Sequence, residues 1–208
     1  MIPQDVAAAR DGGAVLLDMR LPRVFARAHV PGAINLQFNR ADLADRAEMV
    51  LPRDQRYVVH VEPEALSGAA IDLLRGAGFD VIGSLTGGLS AWRSAGLPVE
   101  SIPVIGVDDL KAGPEGLVAI DARDGYEYRH GHVPGAALLP WTEAWARAGE
   151  APAGELAVIC GDEVRSALVA SILRRHGRSV RLVVGGMVDW NERGYPVEKP
   201  GSTKLDQP

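Results

Sequence analysis

The sequence predicts an α/β protein of two tandem copies of one domain, each a mainly parallel sheet with helices on both faces. Three observations predict it. One ordered set of sequence markers occurs twice along the chain. Short apolar runs of strand type alternate with segments of helical period, the pattern of a parallel sheet. The composition is that of a folded protein, 47% hydrophobic and 24% charged, and 208 residues suffice for two cores of about 100 residues each.

The markers define the repeat. Asp18-Met19-Arg20 precedes His29-Val30-Pro31-Gly32-Ala33, and Asp121-Ala122-Arg123 precedes His132-Val133-Pro134-Gly135-Ala136, with Asp and His 11 apart in both. These pairs are offset by 103. Later, Gly87-Gly88-Leu89-Ser90-Ala91-Trp92 matches Gly185-Gly186-Met187-Val188-Asp189-Trp190, and Gly96-Leu97-Pro98-Val99 matches Gly194-Tyr195-Pro196-Val197, both offset by 98. Domains are therefore expected at 1–100 and 101–208. Glu100 to Gly106, with Pro103 and Gly106, reads as a short linker. The polar tail from Lys199 to Pro208, with two prolines, is expected to be loose.

Taken in order, Val15-Leu16-Leu17-Asp18 and Tyr57-Val58-Val59 are short apolar runs that read as buried strands. Ala69 to Arg75 reads as a helix ending at Gly76. Gly87-Gly88 then opens a turn into a helix anchored by Trp92. The second copy repeats this order. Leu117-Val118-Ala119-Ile120 and Ala157-Val158-Ile159 are the strands. Ser166 to His176 is the helix, with Leu168, Ile172 and Leu173 at helical spacing and Gly177 as its C-cap. Arg181-Leu182-Val183-Val184 is a further strand, and Gly185-Gly186 opens the Trp190 helix.

Charge and composition exclude several functions. Residues 1–100 carry 10 basic and 12 acidic side chains, and residues 101–208 carry 12 and 15. Neither half is a basic module, so nucleic acid is not an expected partner. No apolar run approaches the roughly 20 residues of a membrane span, so no membrane partner is expected either. The lone Cys160 cannot form an internal disulfide or a cysteine-rich zinc site. Residues 1–20 lack the basic start and apolar stretch of a signal peptide, and a cytoplasmic location is the expectation.

Cys160 follows a buried strand and precedes a helix, through the run Gly161-Asp162-Glu163-Val164-Arg165. Open α/β sheets bind ligands at the C-terminal ends of their strands. A short loop running into a helix can turn successive N–H groups inward as an anion nest. A thiol there is stabilised as thiolate by those amides, the helix dipole and a nearby Arg. That suits a nucleophile carrying a transferred group. Free cysteines are often merely small buried hydrophobes. A strand-end Cys followed by Gly, with Arg five residues on, is a less casual placement.

Both copies resemble the rhodanese-like domain of thiosulfate and mercaptopyruvate sulfurtransferases. The residues that carry the resemblance are Asp18-x-Arg20, Asp121-x-Arg123 with Glu127-Tyr128, both His-Val-Pro-Gly-Ala turns, the Gly-Gly-x-x-x-Trp segments and the Gly-x-Pro-Val segments. Together they span nearly the whole chain. The family loop is Cys-Arg-x-Gly-x-Arg, matched here by Cys160 and Arg165. The resemblance implies that Cys160 takes a sulfane sulfur as a persulfide and that Arg165 and the loop Gly161, Asp162, Glu163 and Val164 hold it, with Arg123 within reach of substrate. The implied partners are a small-molecule sulfur donor (thiosulfate, mercaptopyruvate or another persulfide) and an acceptor such as cyanide, a thiol or a protein. No metal and no organic cofactor is implied.

The loop departs from the family pattern at Gly161, where Arg is common, and at Glu163, where Gly is usual. Asp162 and Glu163 add negative charge that opposes an anionic donor such as thiosulfate. In the first copy, aligning Tyr57-Val58-Val59 with Ala157-Val158-Ile159 puts His60 in the position of Cys160. No Arg follows within Val61 to Ser67, and Pro63 removes a donor, so this copy reads as non-catalytic.

Residues that recur in both copies read as structural. His29 and His132 are expected to hydrogen-bond within their turns, and Asp18 and Asp121 to serve the strand ends. Arg123 has a counterpart, Arg20, in the Cys-less copy, which favours structure over substrate contact. Arg174, Arg175, Arg178 and Arg181 read as a solvated face. Two alternatives to a sulfurtransferase stand beside it. One is a non-catalytic binding or regulatory module. The other is a cysteine phosphatase, disfavoured because only four residues separate Cys160 from Arg165 and because Asp162 and Glu163 oppose a phosphate dianion.

Overall fold

A computed structural model describes residues 1–199. The tail expected from Lys199 to Pro208 lies, apart from Lys199, outside the described residues. The chain divides into two compact units, the first built on Met1–Pro103 and the second on Val104–Leu173 and the residues from Arg178.

The first unit runs α1 (Pro3–Asp11), β1 (Val15–Asp18), α2 (Pro22–Arg27), β2 (Ile34–Asn35), α3 (Leu43–Val50), β3 (Arg56–His60), a 3-10 turn (Glu64–Leu66), α4 (Ser67–Gly76), β4 (Asp80–Ser84) and α5 (Gly88–Ser94). Its sheet order is β2-β1-β3-β4, every pair parallel. The second unit runs β5 (Val104–Ile105), α6 (Val107–Ala112), β6 (Leu117–Asp121), α7 (Gly125–His130), β7 (Ala137–Leu138), α8 (Ala144–Arg147), a 3-10 turn (Ala148–Glu150), β8 (Glu155–Ile159), α9 (Val164–Arg175), β9 (Val180–Val183) and α10 (Gly186–Glu192). Its order is β5-β9-β8-β6-β7, again parallel throughout. Strands buried on both faces need continuous apolar runs, and β1 and β8 supply them.

The repeated motifs are the joints of each unit. The Asp-x-Arg pair is a buried clamp. Arg20 Nη2 donates to Asp18 Oδ2 at 2.6 Å and to the Ala28 carbonyl at 2.8 Å; Arg123 Nη2 does the same to Asp121 Oδ2 at 2.7 Å and to Gly131 at 2.8 Å. His29 shares a hydrogen bond with the Phe25 carbonyl and stacks on the Phe25 ring at 3.9 Å. His132 does so with Tyr128, at 3.6 Å between rings. Each histidine backbone also pairs with a returning segment, at Glu100 and Glu198. The Pro of each Gly-x-Pro-Val segment caps a tryptophan, since Trp92 Nε1–H donates to the Pro98 carbonyl at 2.8 Å and Trp190 Nε1–H to Pro196 at 2.9 Å. Both indoles are buried with their one donor satisfied.

Three expectations are corrected. The helix of the first copy includes Gly76, and the left-handed residue that ends it is Gly78, at φ 84°. The Phe79 N–H then closes onto the Leu74 carbonyl, as Arg178 closes onto Leu173 after Gly177 in the second unit. The linker is not free. Glu100 is bridged to His29, Ile102 N–H donates to the Ala26 carbonyl, and Val104–Ile105 is the edge strand β5.

The third correction concerns His60. In β3 the partner of Asp18 is His60, whereas in β8 the partner of Asp121 is Ile159. The register therefore equates His60 with Ile159, and Val61, not His60, occupies the position of Cys160. Because side chains alternate along a strand, His60 points to the other face from that position.

Candidate active site

Cys160 emerges where β8, a central strand, passes its last pairing with β6. Two neighbours hold the loop that follows. Ala122 N–H donates to the Ile159 carbonyl at 2.8 Å, and the start of α10 donates to the loop itself, Met187 N–H to the Cys160 carbonyl at 2.7 Å and Val188 N–H to Gly161 at 3.1 Å. This approach explains Gly186. Its φ is 57°, and a Cβ there would lie 2.6 Å from the Cys160 carbonyl oxygen. Glu163 ties the same turn from the other side, its Oε1 accepting the Gly185 N–H at 2.9 Å. Glu64 does this for Gly87 in the first unit, at 3.0 Å. An acid at this loop position therefore has a structural duty in both units.

The Cys160 thiol is buried. Its Sγ lies 3.3 Å from Ser166 Oγ and 3.7 Å from Asp162 Oδ1. The Ser166 hydroxyl in turn donates to the Glu163 carbonyl at 3.2 Å. In the thiol state the S–H donates to Ser166; in the thiolate state the one Ser166 proton must swing from Glu163 to sulfur. Burial pushes the Cys160 thiol up, outweighing the Ser166 hydroxyl and amide and the Arg165 charge that favour thiolate. The expected lowering is thus reversed, chiefly by burial, and two local features limit what opposes it.

The first is Asp162. Its Oδ1 accepts the N–H of Glu163 at 2.6 Å and of Val164 at 3.0 Å. Burial, the largest single influence on this carboxyl, works to raise it, yet the backbone amides of Val164, Glu163 and Asp162 itself hold it below the usual carboxylate range. Amides expected to face an incoming anion are already occupied by one.

The second is Arg165. Its Nη2 donates to Glu127 Oε1 at 2.9 Å, Nη1 to Glu127 Oε2, and Nη1 also lies 3.3 Å from Asp124 Oδ2. The Arg165 hydrogen bond is the main cause holding Glu127 below its ordinary range. Gly161 lies beneath this guanidinium, since a Cβ there would stand 3.3 Å from Arg165 Nη2.

Cys160, Gly161, Asp162, Glu163, Val164 and Arg165 are thus brought together at one strand end. Arg123 lies on the neighbouring strand end, buried, with Nε and Nη2 engaged by Asp121 and Gly131. Sequence reasoning missed Ser166, Asp124 and the pairing role of Glu127. Among the described residues no three His, Cys, Asp or Glu side chains converge as a metal site. Nor, among them, is any helix long and apolar enough to cross a membrane.

The corresponding place in the first unit is a pocket of about 230 Å³ whose lining includes Met19, Leu21, Val24, Phe38, Glu62 and Leu66. Leu21, Val24 and Leu66 stand where the second unit has Asp124, Glu127 and Arg165. His60, buried beside it, has Nδ1 3.4 Å from Asp18 Oδ2 and Nε2 3.3 Å from Glu62 Oε1.

The chain is similar to several known proteins. Thiosulfate sulfurtransferase GlpE of Pseudomonas syringae is 33% identical over 101 residues, 48% of this chain and 91% of its own. SseB of Mycobacterium tuberculosis is 26% identical over 231 residues, 80% of this chain and 81% of its own. A solved thiosulfate sulfurtransferase from Pseudomonas aeruginosa aligns over 96% of this chain at 26% identity and a TM-score of 0.41, and this chain spans only 43% of it. The family model of the rhodanese-like domain matches twice, at residues 3–95 and 107–193, one match in each unit, and the chain belongs to the rhodanese-like family.

Proposed function

We propose that the chain is a sulfurtransferase whose chemistry resides in the second domain, residues 101–208, with the first domain, 1–100, non-catalytic. The observation that carries this reading is Cys160 itself, a lone thiol at the C-terminal end of a central parallel strand, hydrogen-bonded to Ser166 at the first turn of α9. Membership of the family and the similarity to a protein named as a thiosulfate sulfurtransferase support it.

In the first step the Cys160 thiolate attacks the sulfane sulfur of a donor. With thiosulfate the S–S bond breaks and sulfite leaves with the bonding pair; with a thiol persulfide a thiolate leaves. Cys160 is left as a persulfide. In the second step a nucleophile such as cyanide or a thiol takes the outer sulfur and returns Cys160 as thiolate. The scheme is covalent and ping-pong. Arg123 is assigned to the fold, since Arg20 makes the same clamp in a domain without the thiol.

The test is the intact mass of the protein before and after exposure to thiosulfate, mercaptopyruvate and a thiol persulfide, repeated on Cys160→Ser. A gain of one sulfur, removed by cyanide and absent in the variant, is expected. Sulfur transfer retained by Cys160→Ser would overturn the mechanism.

A second reading, a non-catalytic binding module, is favoured by the buried, upward-shifted thiol and by the Asp162 carboxylate on the loop amides. It predicts no sulfur gain from any donor while the denatured chain still titrates one thiol.

A further inference from the structure

The loop before α9 has the shape of an anion cradle, and Asp162 already fills it. Its Oδ1 takes the Glu163 and Val164 amides and stands 3.7 Å from the Cys160 sulfur. The cation that would balance a second anion is also committed, because Arg165 is gripped by Glu127 and lies 3.3 Å from Asp124 Oδ2. Glu163 spends one carboxylate oxygen on Gly185. About the loop, then, Asp124, Glu127, Asp162 and Glu163 are set against Arg165, while the neighbouring Arg123 is paired with Asp121. A thiosulfate dianion entering here meets like charge at short range, with the Glu163 and Val164 amides taken.

We propose that Asp162 is a specificity-determining residue that turns the Cys160 site away from thiosulfate and toward thiol persulfides whose carrier group is uncharged or cationic. This rests on the sulfurtransferase reading above and names its donor class. The favoured step is Cys160–SH plus R–S–SH giving Cys160–S–SH plus R–SH. The Cys160 sulfur bonds to the outer sulfur, the R–S to S bond breaks, and the Cys160 proton ends on the departing thiol. No external oxidant or reductant is needed. A cationic R group is drawn to the carboxylates that repel an entering thiosulfate dianion.

The test compares two donors, thiosulfate and cysteamine persulfide, on the full chain, with sulfur loading of Cys160 followed by intact mass. Three proteins are used: wild type, Asp162→Asn, which removes the charge but keeps an acceptor for the amides, and Asp162→Ala, which removes both. Cys160→Ser measures any loading elsewhere.

In the wild type, kcat/KM for cysteamine persulfide is expected to exceed that for thiosulfate at least tenfold. That preference should shrink at least tenfold in Asp162→Ala, with Asp162→Asn between the two. Added salt should raise the wild-type thiosulfate rate and lower the persulfide rate, since screening weakens both repulsion and attraction. A donor ratio unchanged in both variants, with sulfur still loaded, overturns the role of Asp162 and leaves the sulfurtransferase reading standing. Equal use of both donors by the wild type does the same. Should Asp162→Ala fail to fold, Asp162→Asn alone decides. Loading from neither donor in all three proteins overturns this proposal, and if mercaptopyruvate also loads none of them the sulfurtransferase reading falls with it.

Discussion

Glu127 grips Arg165 with both carboxylate oxygens, Oε1 2.9 Å from Nη2 and Oε2 on Nη1, across 38 residues of chain. The grip draws toward Glu127 the positive charge best placed to stabilise a Cys160 thiolate. Both partners are partly exposed, so the pair itself contributes at most about 1 kcal/mol to stability. Its larger effect is electrostatic. Glu127→Gln should leave the melting temperature nearly unchanged and lower the Cys160 pKa. The check is the rate of iodoacetamide alkylation against pH. The variant's curve should lie at lower pH than the wild-type curve, and coincident curves would refute the coupling.

Ser166 acts in the opposite sense. Burial is the main influence raising the Cys160 thiol, and the Ser166 hydroxyl and amide are the next, both lowering it. A hydrogen bond to a charged group is worth about 1.5–3 kcal/mol. Ser166→Ala should therefore push the thiol further up and slow persulfide formation at neutral pH by roughly ten- to a hundredfold. Raising the pH should recover much of that loss. A defect that pH does not relieve would assign Ser166 a packing role instead.

Gly186 and Gly177 separate strain from contact. Both have positive φ, 57° and 76°, but only Gly186 abuts other atoms, with a Cβ there 2.6 Å from the Cys160 carbonyl oxygen and also against Gly161. Nothing lies within 4 Å of a Cβ at Gly177. Gly177→Ala should cost about 1–2 kcal/mol from backbone strain alone and leave sulfur loading intact. Gly186→Ala adds overpacking of about 1–3 kcal/mol and displaces the loop, so loading should fall at least tenfold. Thermal melts and intact mass on the two variants check both halves.

Much of this was legible because the chain says it twice. Asp18 and Asp121, His29 and His132, and Trp92 and Trp190 each perform one physical task in two places, and recurrence in a copy without the thiol marked them as structural. The position of Val61 was not legible. The run Tyr57-Val58-Val59-His60-Val61 is buried throughout, so no polar alternation marks its register, and only pairing with β1 reveals the shift of one residue. Strand β5, at two residues, is too short to show a period. Asp162 read as surplus charge, whereas an Asp shortly before a helix is also a cap for the first free amides, and that signal was present. Glu127 and Arg165 meet only through the fold.

The Asp18–Arg20 clamp leads to a prediction about acid. Burial is the largest influence on Asp18 and acts to raise it, yet the His60 ring 3.4 Å away and the hydrogen bonds from Arg20 together hold the carboxyl below its usual range. A carboxylate whose folded pKa lies below its unfolded value of about 3.9 adds stability that is fully present above that value. The contribution is lost as pH falls through the folded pKa. Asp18→Asn leaves the Arg20 guanidinium buried opposite a neutral amide, a loss of about 3–5 kcal/mol at neutral pH. The penalty should shrink as the medium is acidified below about pH 4, because the wild-type carboxyl then takes up its proton and forfeits the same interaction. Urea midpoints for both proteins, measured from pH 7 downward, should therefore converge in acid. Parallel curves, with a constant gap across that range, would show that Asp18 stabilises the strand end by shape and not by charge.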